Sequence, residues 1–211
     1  MSTKSLIVEF IGTFFLVLVV GLTVVSPGAG ALAPLAIGST LMIMVYAGGH
    51  ISGGHYNPAV TLGVWMRGKC DTKDVVPYVL TQILAGIVAA VTVNFFKAGV
   101  AVTAGSIDPA RALFNEFLFT FALVYVVLNT ATSKKNAGNS YYGLAIGFTL
   151  AVGAYAGGAI SGGAYNPAVA FGISTMGLSA WSNIWIFLVA NFLGGAVAAL
   201  IYKAVNPEEY E

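Results

Sequence analysis

Six long apolar stretches divide the chain, and short segments rich in turn-forming or charged residues separate them. At about 1.5 Å of helix per residue, stretches of this length can cross roughly 30 Å of hydrocarbon. The pattern therefore predicts an all-α membrane protein with six transmembrane helices in a single domain over 1–211. The predicted spans are 6–25, 33–50, 76–96, 112–131, 141–158 and 182–204.

Composition supports this interpretation and excludes other classes. The chain is 58% hydrophobic and 8% charged, with a mean hydropathy of +0.86, whereas a soluble domain carries about 25% charged residues. The net charge of +1 without a basic cluster excludes nucleic acid as a partner. The single cysteine, Cys70, excludes an internal disulfide. With no nucleophile–base pair or metal-ligand cluster in the sequence, we expect no enzyme, no cofactor and no metal.

The distribution of basic residues predicts the orientation in the membrane. If the N-terminus is cytoplasmic, the outer loops contain Lys97 and Arg111 alone. We therefore expect both termini in the cytoplasm of a multi-pass protein in a plasma or inner membrane. The basic residues of the cytoplasmic side would be Lys4, Arg67, Lys69, Lys73, Lys134, Lys135 and Lys203.

The sequence contains an internal repeat. The segment "GGHISGGHYNPAVTLG" at 48–63 matches "GGAISGGAYNPAVAFG" at 157–172 in twelve of sixteen positions, an offset of 109. Each half, approximately 1–100 and 108–211, holds three predicted spans. Because three is odd, the second half enters the membrane from the opposite face, which predicts an inverted repeat.

Asn-Pro-Ala occurs once in each half, at 57–59 and 166–168. Asn is a strong N-cap and Pro is favoured at the first helical position, so each motif predicts a helix start. The helices that follow, 58–66 and 167–176, would be roughly 15 Å long, half a membrane. We therefore expect two re-entrant half-helices whose N-termini meet near the midplane. The alternative is a pair of polar loops outside the membrane, which would not require the doubled cap.

The predicted meeting point has a definite chemistry. The amides of Asn57 and Asn166 would offer hydrogen-bond donors to the lumen, and the carbonyls of 51–56 and 160–165 would offer acceptors. Each helix N-terminus contributes roughly +0.5 charge, so a cation would meet about one positive charge at the centre. A neutral solute would lose little hydrogen-bonding free energy on exchanging water for these groups.

These motifs, the two glutamates at Glu9 and Glu116, and the glycine-rich third and sixth spans resemble the aquaporin and glycerol-facilitator family, the major intrinsic proteins. The resemblance covers essentially the whole chain. It implies a bundle of six helices and two half-helices in the lipid bilayer, a pore in each subunit and a homotetramer. The function that it implies is passive flow of water or small uncharged solutes.

The resemblance also implies roles for individual residues. Glu9 and Glu116 would accept hydrogen bonds from the re-entrant loops, while snorkelling to the membrane surface and a proton relay are the alternatives. Independently of the resemblance, His50 and His55 would hold the first loop or line the inner vestibule, with a pH gate through His50 as an alternative. The central pore motif would comprise Asn57, Pro58, Ala59, Asn166, Pro167 and Ala168.

The outer filter departs from the family pattern, which places Arg after the second Asn-Pro-Ala. Carried over by position, the filter is Ile37, Ala154, Gly163 and Val169, which is wide and apolar. We expect passage of water together with ammonia, urea, hydrogen peroxide or glycerol. The alternatives are an ion-permeable channel, since the Arg charge is missing, and a gated one, since a hydrophobic constriction can dewet.

Overall fold

Each long apolar stretch forms a helix in the computed structural model, which describes residues 2–210. All regular elements of this part of the chain are helical, as the sequence predicts. A π-helical turn over Leu128–Thr132 extends the fifth helix, and a 3-10 turn over Trp181–Asn183 leads into the eighth. The helices are α1 (Thr3–Val24), α2 (Ala33–Ser52), α3 (Pro58–Met66), α4 (Thr72–Phe96), α5 (Pro109–Val127), α6 (Tyr142–Ser161), α7 (Pro167–Thr175) and α8 (Ile184–Val205).

Six of these helices are long and apolar enough to cross a membrane, with mean hydropathies from 1.6 to 2.5. Their outward faces carry large apolar side chains, for example Leu80 and Val76 at 63% exposure and Phe95 at 76%. A protein surrounded by water rarely presents so much contiguous apolar surface. The six predicted spans are confirmed, and the chain is an integral multi-pass membrane protein.

The 109-residue offset is visible in the helix boundaries. It maps both ends of α2 onto both ends of α6, and both ends of α3 onto both ends of α7. Within the first half α1 packs against α2 and α4, just as α5 packs against α6 and α8 in the second. Each half-helix packs on the last helix of the other half, α3 on α8 and α7 on α4. The two halves therefore interlock through their half-helices.

Two glycines allow this interlocking. A Cβ at Gly86 of α4 would lie 2.5 Å from the Ala168 carbonyl oxygen, and one at Gly195 of α8 would lie 2.7 Å from the Ala59 carbonyl oxygen. Any larger residue would push the long helix away from the first turn of the half-helix. The glycine-rich character of the third and sixth spans thus fixes the depth at which α3 and α7 sit.

The ends of α2 and α6 differ from the prediction. Both continue for two or three residues past the predicted limits, to Ser52 and Ser161, because Gly53 and Gly162 cap them in the left-handed conformation with φ of 90° and 95°. The non-helical linkers are consequently 53–57 and 162–166. Residues 51–52 and 160–161, whose carbonyls were predicted to belong to the non-helical loops, are therefore helical. The first turn of α4 also begins earlier, at Thr72, because its polar residues lower the hydropathy without ending the helix.

The end of α3 is anchored by the C-terminal segment. Arg67 donates to Glu209 at 2.6 Å, and both side chains are buried. Ser133 Oγ at 2.7 Å and the Lys134 N–H at 2.8 Å donate to the same carboxylate, and the guanidinium lies over the Tyr210 ring. Burial favours the neutral acid, yet the hydrogen bonds and the Arg67 charge hold the pKa of Glu209 below its ordinary value.

Candidate functional site

The two half-helices begin at the capping geometry expected for Asn-Pro. Asn57 Oδ1 accepts from the Ala59 N–H at 2.8 Å, and Asn166 Oδ1 accepts from the Ala168 N–H at 2.9 Å. Each Asn has extended backbone, and the proline after it occupies the first helical turn. The N-terminal ends of both helix dipoles therefore point at the same central point.

Each asparagine also bonds to the opposite loop. Asn57 Nδ2 donates to the Tyr165 carbonyl oxygen, and Asn166 Nδ2 donates to the Tyr56 carbonyl oxygen, both at 2.9 Å. One N–H of each amide is thus engaged with the opposite loop. An amide group carries two N–H donors, so one from each asparagine remains for a solute. Both side chains line the central cavity.

Tyr56 and Tyr165 hold the loops in the shape that these bonds need. Their φ values are 50° and 48°, a left-handed conformation that is uncommon for residues other than glycine. Each ring is about 1% exposed, and its hydroxyl donates to a helix carbonyl, Met44 at 3.0 Å and Gly153 at 2.9 Å. Such backbone costs roughly 1–3 kcal/mol and persists where surrounding contacts determine it.

Glu9 lies beneath the first loop and is fully buried. Its carboxylate accepts from Ser52 Oγ at 2.7 Å, the His55 N–H at 2.9 Å and the Tyr56 N–H at 2.7 Å. Gln82 Nε2 of α4 donates the fourth bond at 2.8 Å. An ionised carboxylate has the capacity for all four. These contacts place Glu9 against the loop backbone rather than at the membrane surface.

Glu116 repeats the arrangement in the second half. It accepts from Ser161 Oγ at 2.6 Å, the Ala164 N–H at 2.9 Å, the Tyr165 N–H at 2.7 Å and Asn191 Nδ2 at 2.9 Å. The polar partners that the sequence analysis missed are themselves related by the repeat. These partners could have been found in the sequence as polar residues that lie within apolar spans and recur 109 positions later. The pairs are Ser52 with Ser161, and Gln82 with Asn191.

His55 is the main chemical difference between the two loops, since Ala164 occupies its place in the second. Its Nδ1 lies 3.1 Å from Thr61 Oγ1, which also receives a bond from Gln82 Nε2 at 3.0 Å. The side chain is 7% exposed and lines the central cavity. His50 is exposed and lines a wider cavity nearer the chain termini.

All four predicted filter residues line one cavity. Ile37, Ala154, Gly163 and Val169 border a space of about 230 Å³ that we call the filter-side vestibule. The described residues that line it are apolar residues or glycines. The structure therefore brings the filter positions together and surrounds them with apolar groups.

The cavities follow one another through the bundle. The central cavity shares Leu16, Leu150, Ala164 and Val169 with the filter-side vestibule. On the side of the termini it shares lining residues with a cavity of about 520 Å³, which we call the terminal-side vestibule. The lining residues thus describe a path through the bundle that passes both asparagines.

Comparison with known proteins agrees with this architecture. The model of the family described as "Major intrinsic protein" matches residues 1–202. The chain is 37% identical to Aquaporin TIP1-1 of Arabidopsis thaliana over 183 residues, 84% of this chain and 72% of the relative. It is 34% identical to Glycerol uptake facilitator protein-like 6 of Lactiplantibacillus plantarum over 216 residues, 98% of this chain and all of the relative. The structure of the aquaglyceroporin from Plasmodium falciparum superposes with a TM-score of 0.79, covering 98% of each chain at 24% identity, which supports the fold.

Proposed function

This chain belongs to the major intrinsic protein family, whose model covers 202 of its 211 residues, and on that premise we propose how it selects solutes. As a family member it is a passive membrane channel for water and small solutes, and it is not an enzyme. Our proposal concerns the residues that form its pore and the solutes that they admit.

The central pore motif, we infer, comprises the two Asn-Pro-Ala segments. The observation that carries this inference is the reciprocal pair of bonds between each asparagine and the opposite loop. These bonds fix two half-helix N-termini, together worth about one positive charge, beside a cavity lined by Asn57 and Asn166. Such a site repels cations and offers donors to neutral solutes. Glu9 and Glu116 maintain it by holding the loop backbone.

The filter has relaxed selectivity in this proposal. Val169 stands where the family places Arg, and the other three positions have small or aliphatic side chains. The apolar filter-side vestibule thus admits solutes that are less polar or larger than water, and ammonia, urea, hydrogen peroxide and glycerol are the candidates.

An ion-permeable channel is the second candidate, because the filter lacks a positive charge. Against it, a permeating ion needs groups that replace its water shell, such as rings of carbonyls or charged side chains. No described side chain that lines the filter-side vestibule is charged, and none carries an oxygen that could replace this water shell. The absence of Arg therefore lowers the barrier to cations without creating a path for them.

We further propose that the side with both termini is cytoplasmic, because most basic residues lie there. The family resemblance suggests a homotetramer in a plasma or inner membrane, with one pore in each subunit. Chemical cross-linking in vesicles tests the assembly, and a four-subunit species is expected. Protease access to a C-terminal tag in sealed, right-side-out vesicles tests the orientation, and the tag should be protected.

Proteoliposomes test the function. In a sucrose gradient, vesicles that contain the protein should shrink faster than empty ones on a stopped-flow instrument. In planar bilayers with salt on both sides, the same preparation should carry no current above background. Faster shrinkage together with single-channel currents would favour the ion-permeable candidate, and shrinkage equal to that of empty vesicles would refute the proposal.

A further inference from the structure

The central cavity is much the smallest of the three cavities that follow one another through the bundle. The central cavity has a volume of about 20 Å³, against about 230 Å³ for the filter-side vestibule and about 520 Å³ for the terminal-side vestibule. A buried space holds one water molecule once a water-sized sphere can occupy roughly 10–15 Å³ of it. The centre thus has room for about one water, whereas the filter positions border a much larger space.

Four leucines surround this narrow point. Leu16 and Leu123 are related by an offset of 107, and Leu41 and Leu150 by the offset of 109. All four line the central cavity and are at most 5% exposed. Leu16 and Leu150 also line the filter-side vestibule, so they stand where the path changes from wide to narrow. The inverted repeat thereby places two leucines from each half around the solute, beside four smaller or β-branched aliphatic residues, Val60, Val127, Ile146 and Val169.

Polar groups are few at this point. Among the described residues that line the central cavity, only Asn57, Asn166 and His55 have polar side chains. One N–H of each asparagine is already bonded to the opposite loop, and His55 Nδ1 lies against Thr61. A solute with several hydroxyl groups would hold some of them against leucine without a partner, which is unfavourable. A solute with one or two polar atoms can be satisfied completely.

We propose that the leucine ring, Leu16, Leu41, Leu123 and Leu150, sets the size limit of this channel. The ring admits neutral solutes with at most two non-hydrogen atoms, namely water, ammonia and hydrogen peroxide. It rejects urea and glycerol although the filter is wide enough for both. The inference rests on the proposed function and narrows the class of solutes within it.

The first test compares water and glycerol fluxes in proteoliposomes. The wild-type protein should accelerate shrinkage in sucrose, while glycerol should enter no faster than into empty vesicles. Leu41→Ala/Leu150→Ala should raise glycerol flux at least about tenfold, because one methylene in an apolar pocket changes discrimination by about 10–200-fold. Leu128→Ala is the matched control, since it shortens a fully buried leucine that lines none of the three cavities and should leave glycerol flux unchanged.

The outcomes separate this inference from the proposed function. Sucrose-driven shrinkage no faster than that of empty vesicles would refute the channel proposal and this inference with it. Rapid water flux together with rapid glycerol flux in the wild type would refute the leucine ring alone. The same holds if Leu128→Ala raises glycerol flux as much as Leu41→Ala/Leu150→Ala does.

A second pair of variants tests the ring by adding volume. Leu150→Phe should reduce water flux to the level of empty vesicles, because the larger phenylalanine side chain would fill a space that has room for only about one water. Leu144→Phe makes the same change at an exposed position of the same helix that lines none of the three cavities, and it should conserve water flux. Each variant is first checked for a helical circular dichroism spectrum and a single peak in size-exclusion chromatography. If Leu150→Phe folds and still conducts water at the wild-type rate, the centre is not the constriction.

Discussion

Replacing Glu116 by glutamine tests whether a buried carboxylate holds the second re-entrant loop. The side chain is fully buried and accepts four hydrogen bonds, from Ser161, Ala164, Tyr165 and Asn191. Glutamine has the same shape but replaces one acceptor oxygen by an NH₂ group. That group would face two donors, the Tyr165 N–H and Asn191 Nδ2, if the other oxygen keeps its bonds.

The size of the effect follows from these two donors. A buried donor left without a partner costs about 1–3 kcal/mol, so Glu116→Gln should lose about 2–6 kcal/mol of stability. For a chain of this length one kcal/mol corresponds to about 2–4 °C, so the unfolding temperature should fall by at least about 4 °C. Water flux should also decrease, because the Tyr165 carbonyl that binds Asn57 is no longer fixed.

The assay is thermal unfolding in detergent, followed by the loss of the monodisperse peak, with proteoliposome water flux measured in parallel. Glu208→Gln is the matched control, since Glu208 pairs with an exposed lysine at the surface, where such pairs contribute little. Glu9→Gln should reproduce the effect of Glu116→Gln in the first half. An unfolding temperature for Glu116→Gln within error of the wild type would refute the reasoning.

Three further predictions concern other parts of the bundle. Gly195→Ala should lower the unfolding temperature and the water flux, because its Cβ would approach the Ala59 carbonyl oxygen to 2.7 Å, whereas Gly158→Ala meets nothing within 4 Å and should lower neither. Val169→Arg, introduced into the variant with the two central leucines shortened to alanine, should remove most of the glycerol flux that the variant gains. Unchanged glycerol flux there would show that Val169 lies outside the conduction path. Glu209→Gln should destabilise the protein at neutral pH, where the carboxylate is ionised. Because the pKa of Glu209 is lower in the folded state than the unfolded value of about 4.3, the difference in stability should begin to shrink below about pH 4.3 and should disappear as the pH falls through the folded-state pKa. A difference in unfolding temperature that stays constant from neutral pH to the lowest pH at which the protein remains folded would contradict the role of the charge.

The half-helices could be predicted because their signals are local. Asn-Pro specifies a capped helix start, and the 109-residue repeat shows that the same start occurs twice. The predicted segment 58–66 coincides with α3, and 167–176 ends one residue beyond α7. The predicted helix ends were less accurate where a glycine terminates the helix after polar residues, as Gly53 terminates α2.

Contacts between the halves could not be predicted from local patterns. The bond from Asn57 to the Tyr165 carbonyl requires a left-handed tyrosine, which the residue type disfavours and which only the surrounding contacts enforce. The width of the pore is likewise a consequence of helix packing. Comparison with the family directs attention to the four filter residues, whereas the smallest of the connected cavities is the central one, which the leucine ring lines.

The response of wild-type proteoliposomes to a glycerol gradient on a stopped-flow instrument tests the channel and its central size limit together. Rapid water exit should shrink the vesicles faster than empty ones, and the slow return of volume should match that of empty vesicles because glycerol does not pass. Shrinkage as slow as in empty vesicles would contradict the channel, and rapid recovery of volume would contradict its central size limit.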